Sequence, residues 1–300
     1  MSQENIPLDA SMRADDPRAD DHRDDHTHQV LPDLAYKRTV FVNHAYIGLP
    51  GQGDRKWVLV DAGVTGMSAE AIEHAARDRF GEHVRPACIL LTHGHFDHIG
   101  AAKELADKWD CPIYAHELEL PYLTGQAAYP KPDPHVGGGM MATLSPLYPR
   151  GPFDLIERIE HLPNDGTVPF LPDWKWIHVP GHSPGQVAFW RESDRSLLSA
   201  DAFITTRQES AYAAVTQAME LHGPPMYFTI DFEAARQSVE RLAALEPELV
   251  VPGHGRAMHG PELRAKLHEL VQHFAEIAVP KDGKYVKNPA RVEDGSAYVS

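Results

Sequence analysis

Between residues 90 and 100 the chain reads Leu-Leu-Thr-His-Gly-His-Phe-Asp-His-Ile-Gly. Few folds can accommodate such a run. His93, His95, Asp97 and His98 are all potential metal ligands, and they stand directly behind the apolar residues 87–91. A short apolar run of this kind predicts a strand buried on both faces. In open α/β sheets, ligand sites gather at the carboxyl ends of strands, where the loops leave the sheet. Gly94 is expected to let the chain turn tightly between the first two histidines. His93 and His95, two apart, can point the same way from an extended turn. Asp97 and His98, at the start of a following helix, can face a second point. One short loop can therefore serve two adjacent metal sites, an arrangement that an ordinary surface loop seldom offers.

A site so rich needs ligands from elsewhere, and histidine is abundant, at 19 of 300 residues. Three later turns each follow a predicted strand. His182 lies in Val-Pro-Gly-His-Ser-Pro-Gly, Asp201 follows the strand Ser196–Ala200, and His254 lies in Val-Pro-Gly-His-Gly. Glycine and proline fix sharp turns there and aim one side chain inward. Each turn alone is weak evidence; together with the first motif they complete a set.

The rest of the chain bounds what such a site serves. No run approaches the roughly 18 apolar residues of a spanning helix, and the polar, acidic start is not a secretory signal. A formal net charge of −15 argues against a broad nucleic-acid or anionic-membrane surface. Two cysteines, Cys88 and Cys111, cannot build a disulfide framework, which fits a reducing cytoplasm. Residues 1–29 carry eight acids against three arginines and almost no large apolar side chain. They are expected to be a disordered acidic tail ahead of a domain spanning 30–300. His22, His26 and His28 stand among its aspartates, and a solvated arm is the plainer reading than a weak metal site.

Beyond the tail, strands are predicted at 39–49, 57–60, 87–91 and 112–115, with helices at 68–80 and 98–109. Buried runs alternating with helices predict parallel strands and helical crossovers. Residues 124–152 break the pattern with six prolines and five glycines, as a functional or disordered loop would. Short strands at 156–162, 174–179, 187–190 and 196–200 then have the spacing of an antiparallel meander. A helix at 232–246, a strand at 249–251 and a final helix after Pro261 complete two similar halves.

With LVDAG at 59–63, THGHFDHIG at 92–100, PGHSPGQ at 180–186, SADAF at 199–203 and PGHG at 252–255, the chain resembles the metallo-β-lactamase-fold superfamily of hydrolases. The likeness is to the branch of glyoxalase II-like and lactonase-like enzymes. It implies an α/β fold, an αββα sandwich of two central mixed β-sheets flanked by helices. It also implies that His93, His95 and His182 hold one metal, that Asp97, His98 and His254 hold a second, and that Asp201 bridges them. Asp61 matches a position that orients the ligand loop. Imidazoles and carboxylates suit zinc, with iron, manganese or cobalt as alternatives. Two such ions can hold a bridging hydroxide at neutral pH and polarise a carbonyl. Asp97, beside that water, would carry the proton to the leaving group.

Departures from the family narrow the expectation. Asp201 stands where a true β-lactamase of this superfamily commonly has cysteine. Ile204 stands where lactonases often carry a tyrosine. Only one clear helix follows Gly260, whereas glyoxalase II adds a helical portion with basic residues for glutathione. The expected function is a binuclear hydrolase of a carboxylic ester, lactone or thioester acting on a small molecule, and relatives imply a homodimer. The alternatives are a glyoxalase II-type thioesterase and a mononuclear iron oxidoreductase resembling persulfide dioxygenases. Ile204, Tyr212, His222 and Tyr227 are candidates for the pocket. The cleft walls are expected in 124–152 and 203–228, mostly apolar, with Lys131, Arg150 and Arg207 as the basic residues there.

Overall fold

Alternation along short strands sorts the interior into layers. The computed structural model describes residues 27–206 and 220–299. Residues 1–26, Arg207 and Tyr212 lie outside the described residues. The first half contains β1 (His28–Leu31), β2 (Leu34–Thr39), β3 (Val42–Ile47), β4 (Val58–Val60), α1 (Ala69–Phe80), β5 (Cys88–Leu90), α2 (Phe96–Ile99), α3 (Ala102–Trp109) and β6 (Ile113–Ala115). Two short helices, α4 (Leu120–Leu123) and α5 (Met140–Leu144), lead to β7 (Ile159–His161). The second half contains β8 (Thr167–Val168), β9 (Leu171–His178), β10 (Val187–Arg191), β11 (Ser196–Ala200), α6 (Phe232–Ala243), β12 (Leu249–Pro252), β13 (Met258–His259) and α7 (Gly260–Gln272).

In β4 and β5, Leu59 and Ile89 face outward onto α1 and α3, where they meet Ile72, Ala76, Leu105 and Ala106. Their neighbours Val58, Val60, Cys88 and Leu90 turn the other way and meet Phe189, Leu198 and Val251 of the second sheet. On its far side that sheet packs Leu197 and Val250 against Val239 and Leu242 of α6 and Leu263 and Leu267 of α7. Period two along each strand thus builds four layers, helix, sheet, sheet and helix. The fold is the αββα sandwich that the motifs imply, with two mixed sheets. One runs β1 to β7 in chain order, antiparallel through β4 and parallel from β4 to β7. The other has the order β13-β12-β11-β10-β9-β8, and α6 provides the crossover between parallel β11 and β12.

Several local expectations change. β1 includes His28 and Gln29, which composition alone places in the tail; His28 pairs with Tyr36 and is buried against its ring. The strand expected at 39–49 is the second arm of a hairpin, because Val40 adopts φ 60° and the chain reverses there. The helix expected at 98–109 starts at Phe96 and is broken between Ile99 and Ala102. A Cβ on Gly100 would strike the backbone of Gly63, Val64 and Thr65, so only glycine fits where that loop crosses. The strand predicted at 156–162 lies in the first sheet, parallel to β6, and not in the meander of β8 to β11. The 124–152 stretch holds α5 and a 3-10 turn at Ser145–Leu147. Cys88 and Cys111 are both free and buried, one between the sheets and one under the first helical layer.

Candidate metal centre

Five strand ends carry the polar side chains of the site. Asp61 follows β4, residues 92–98 follow β5, His182 lies beyond β9, Asp201 follows β11 and His254 follows β12. Two of these exits pass through left-handed backbone, Asp61 at φ 60° and Ala200 at φ 50°. Such non-glycine conformations cost free energy and cluster where a side chain must be aimed. Gly94 is different from expectation. It has no positive φ, and it is glycine because a Cβ would lie 2.5 Å from the Tyr129 hydroxyl.

Seven side chains from distant parts of the chain converge. His93 Nε2 and His95 Nδ1 are 3.0 Å apart, and His95 Nδ1 and His182 Nε2 are 2.9 Å apart. Asp201 reaches into both halves of the site: its Oδ2 lies 3.4 Å from His182 Nε2 and 3.1 Å from His254 Nε2, and its Oδ1 lies 3.6 Å from His98 Nε2. Asp97 Oδ2 is 3.5 Å from His254 Nε2. Three groups have the ligand spacing of a metal site: His93, His95 and His182; His93, His98 and Asp201; Asp97, His98 and His254.

The far nitrogens of three of these rings are already engaged. His98 Nδ1 lies 2.8 Å from Asp61 Oδ2, and His254 Nδ1 lies 3.0 Å from the Phe41 carbonyl. Thr92 donates its amide and hydroxyl to Asp61, both at 2.8 Å, leaving its oxygen to accept from His93 Nδ1 at 3.1 Å. Each such contact fixes a tautomer in which the inward nitrogen has a free lone pair. His98 Nε2 and Asp201 Oδ1 are buried with no hydrogen-bond partner among the described residues. Buried polar atoms are normally satisfied, and these two, aimed at the centre of a histidine–carboxylate cluster, fit a divalent cation.

The electrostatics divide the rings: burial works against the charge on His98 and His254, but Asp201 overcomes it and raises both, so a cation there would have to displace a proton. Burial, with His98 nearby, holds the His93 imidazole well below its ordinary value, and burial with His182 does the same to His95. His182 is held down to about 4 by burial. These three rings are neutral, as ligands must be. Burial also works against the charge on Asp201, but His254 and His98 overcome it and keep the carboxyl well below its usual range. Asp97 is pushed up by burial, and at 6% exposure it is the least enclosed of the seven.

The remaining sequence candidates fall in different places. Ile204 and His222 form a two-residue antiparallel bridge beside the His254 turn, and both are buried. The His222 ring is not among the three ligand groups; its Nδ1 lies 3.4 Å from the neighbouring Gly223 carbonyl. Tyr227 is buried in an apolar cluster with Val136, Ala142, Phe232 and Tyr285. Its neighbour Phe228 stacks on His95, with centroids 4.8 Å apart. Tyr148, stacked on Phe96 at 5.2 Å, had no signal in the sequence beyond its place in the irregular loop. Glu119 and Tyr129, beside Gly94, carry no sequence signal either, because one glutamate in a short turn looks like any other.

A histidine–aspartate centre at the edge of a four-layer αββα sandwich defines a class of metal-binding fold. The chain belongs to the metallo-beta-lactamase superfamily, whose family model matches residues 40–254. It is 46% identical over 235 residues to a Bacillus subtilis protein named "Probable metallo-hydrolase YflN", covering 78% of this chain and 88% of that one. A hydroxyacylglutathione hydrolase of Bdellovibrio bacteriovorus is 26% identical over 209 residues, 70% of this chain and 61% of the relative. Among solved structures, a beta-lactamase domain protein from Burkholderia ambifaria superposes with a TM-score of 0.58 at 21% identity, covering 84% of this chain and 77% of that one. At that identity the likeness is one of fold alone. No helix among the described residues is long and apolar enough to cross a membrane.

Proposed function

We propose that this chain is a binuclear metal-dependent hydrolase of uncharged carboxylic esters or lactones, with thioesters as poorer substrates. The observation that carries the reading is the place of Asp201. Its carboxylate lies beside His182 of one group and beside His98 and His254 of the other, as a carboxylate shared between two cations would. His93, His95 and His182 would hold one ion and Asp97, His98 and His254 the other. Two divalent ions there would supply Lewis acidity toward a carbonyl oxygen and lower the pKa of a water. The chain's own part is orientation and proton handling. Asp61 and the Phe41 carbonyl hold His98 and His254 in place. Asp97, whose carboxyl burial pushes up and which is the least enclosed of the seven, accepts a proton at its carboxylate and returns it to the leaving oxygen. Phe228, Phe96 and Tyr148 form an apolar wall beside it.

Charge selects the substrate class. Of the basic residues expected in the cleft, Arg150 donates to the Tyr129 carbonyl and Lys131 lines a groove against the 284–299 segment. Arg150 is thereby engaged, and the groove at Lys131 is lined by none of the seven residues of the centre, so neither of these two cations is placed there as a fixed partner for glutathione carboxylates or a phosphodiester. The test measures metal per chain and the hydrolysis of an aryl ester, an acyl lactone, a glutathione thioester and a phosphodiester. We expect two ions, ester or lactone turnover ahead of the others, and loss of at least one ion and most activity in Asp201→Asn. A thioester specificity constant well above those of the esters and lactones would overturn the substrate choice. One iron per chain would overturn the binuclear assignment.

A further inference from the structure

Glu119 stands between the two loops that carry the three-histidine group. It ends a 3-10 turn, Glu117–Glu119, that follows β6, and it is fully buried. Its Oε2 accepts from the Gly94 amide at 2.9 Å and from the Tyr129 hydroxyl. Its Oε1 accepts from the Ser183 hydroxyl at 2.8 Å and from the Gly185 amide at 2.7 Å. Gly94 separates His93 from His95, and Ser183 follows His182. One carboxylate therefore ties together the backbones on which all three histidines ride. Tyr129 adds to the same point: its oxygen accepts from the Gly94 amide at 3.0 Å, and its ring lies 4.5 Å from the His95 ring.

Two motif glycines leave room for these contacts: a Cβ on Gly185 would meet Glu119 itself, and one on Gly94 the Tyr129 hydroxyl that Glu119 holds. Neither Gly94 nor Gly185 has a positive φ. A Cβ on Gly94 would lie 2.5 Å from the Tyr129 oxygen and 3.3 Å from Glu119 Oε2, and a Cβ on Gly185 would lie 2.9 Å from Glu119 Oε1. The glycines let both loops approach until their amides reach one acceptor. Burial pushes the Glu119 carboxyl up, and the four donors act against that. His98 and His254 have other supports, Asp61 and the Phe41 carbonyl.

We propose that Glu119 is a positioning residue that clamps the His93–His95 loop to the His182 loop, and so sets metal affinity at the three-histidine site without setting it at the other. The proposal rests on the two-ion reading above. A carboxylate accepting from four donors cannot be replaced by an amide without a clash. In Glu119→Gln the side-chain nitrogen would face either the Gly94 N–H or the Gly185 N–H, donor against donor.

The experiment titrates the metal-stripped full chain with cobalt(II), followed by visible absorbance, and measures zinc affinity by chelator competition. Glu119→Gln is placed in two backgrounds. His254→Ala leaves the three-histidine site, and His182→Ala removes it. We expect Glu119→Gln to weaken zinc about 10- to 100-fold in the His254→Ala background and to leave the His182→Ala background within about twofold. An equal effect in both backgrounds, or no effect in either, would overturn the proposal. If Glu119→Gln fails to fold, Tyr129→Phe decides: it removes one donor and keeps the ring on His95, so a smaller loss confined to the three-histidine site supports the clamp and no loss overturns it. A wild-type chain binding fewer than two ions would sink the two-ion reading, while the effect of Glu119 would still be read at the three-histidine site.

Discussion

His44 lies in β3 opposite Lys37, fully buried, with neither ring nitrogen hydrogen-bonded among the described residues. Burial, aided by Lys37, lowers its pKa from 6.5 to about 3. The unfolded chain therefore holds a proton that the folded chain refuses between those two values. Stability contributed by this residue is present above about pH 6.5 and is lost as pH falls toward 3, with a limiting slope of about 1.4 kcal/mol per pH unit. A His44→Leu variant puts an apolar group in the same place and has no proton to take up. Urea unfolding at pH 7, 5.5 and 4.5 is expected to show wild type losing stability faster than the variant on acidification. Parallel acid limbs for the two proteins would show that His44 does not carry this linkage.

At the scale of elements, α6 is tied to the candidate metal centre through its first turn. Asp231 caps the helix, its Oδ1 accepting from the amides of Glu233 at 3.1 Å and Ala234 at 3.0 Å. The amides of Ile230 and Asp231 donate to the Gly181 carbonyl, one residue ahead of His182. A Cβ on Gly181 would strike the backbone of Ala235, so helix and ligand loop meet with no space between them. Asp231→Ala removes the cap and is expected to cost about 1–2 kcal/mol of unfolding free energy. Asp231→Asn, which can still accept from the same amides, is expected to cost much less. Chemical denaturation of both variants measures this, and equal losses would mean that the cap is not what Asp231 contributes.

For the whole molecule, the start of the first described strand is set by pairing and not by composition. Residues 27–29 share the polar character of what precedes them, yet His28 and Gln29 pair with Tyr36 and Ala35 at the edge of the seven-stranded sheet. The eight acids of the amino-terminal segment all precede residue 27, and like charges with little apolar surface add little to a core. A chain beginning at Thr27 is therefore expected to melt within about a degree of the full chain. A chain beginning at Val30 loses the buried ring contact of His28 with Tyr36 and is expected to melt several degrees lower. Equal melting temperatures for the two truncations would place the boundary at residue 30 after all.

How much was legible differs between strands and their partners. The period-two apolar runs and the helical stripe of α6 are local patterns, written in consecutive residues, and they sufficed to find most elements, whereas the four-layer architecture was implied only by the resemblance of the motifs to a known superfamily. The ligand turns were legible for the same reason: histidines and aspartates stood directly behind apolar runs, and the chain's geometry carries a strand end to the sheet edge. Ile159–His161 joined the first sheet and not the meander because strand pairing is chosen by long-range packing, which alternation along the strand does not encode. Gly94 is glycine through the approach of Glu119 and Tyr129, 25 and 35 residues away along the chain. By itself the sequence determined which residues face inward and which sit at strand ends. Only the tertiary structure decided which loops touch, because a hydrogen bond between distant loops depends on where the packed layers bring them.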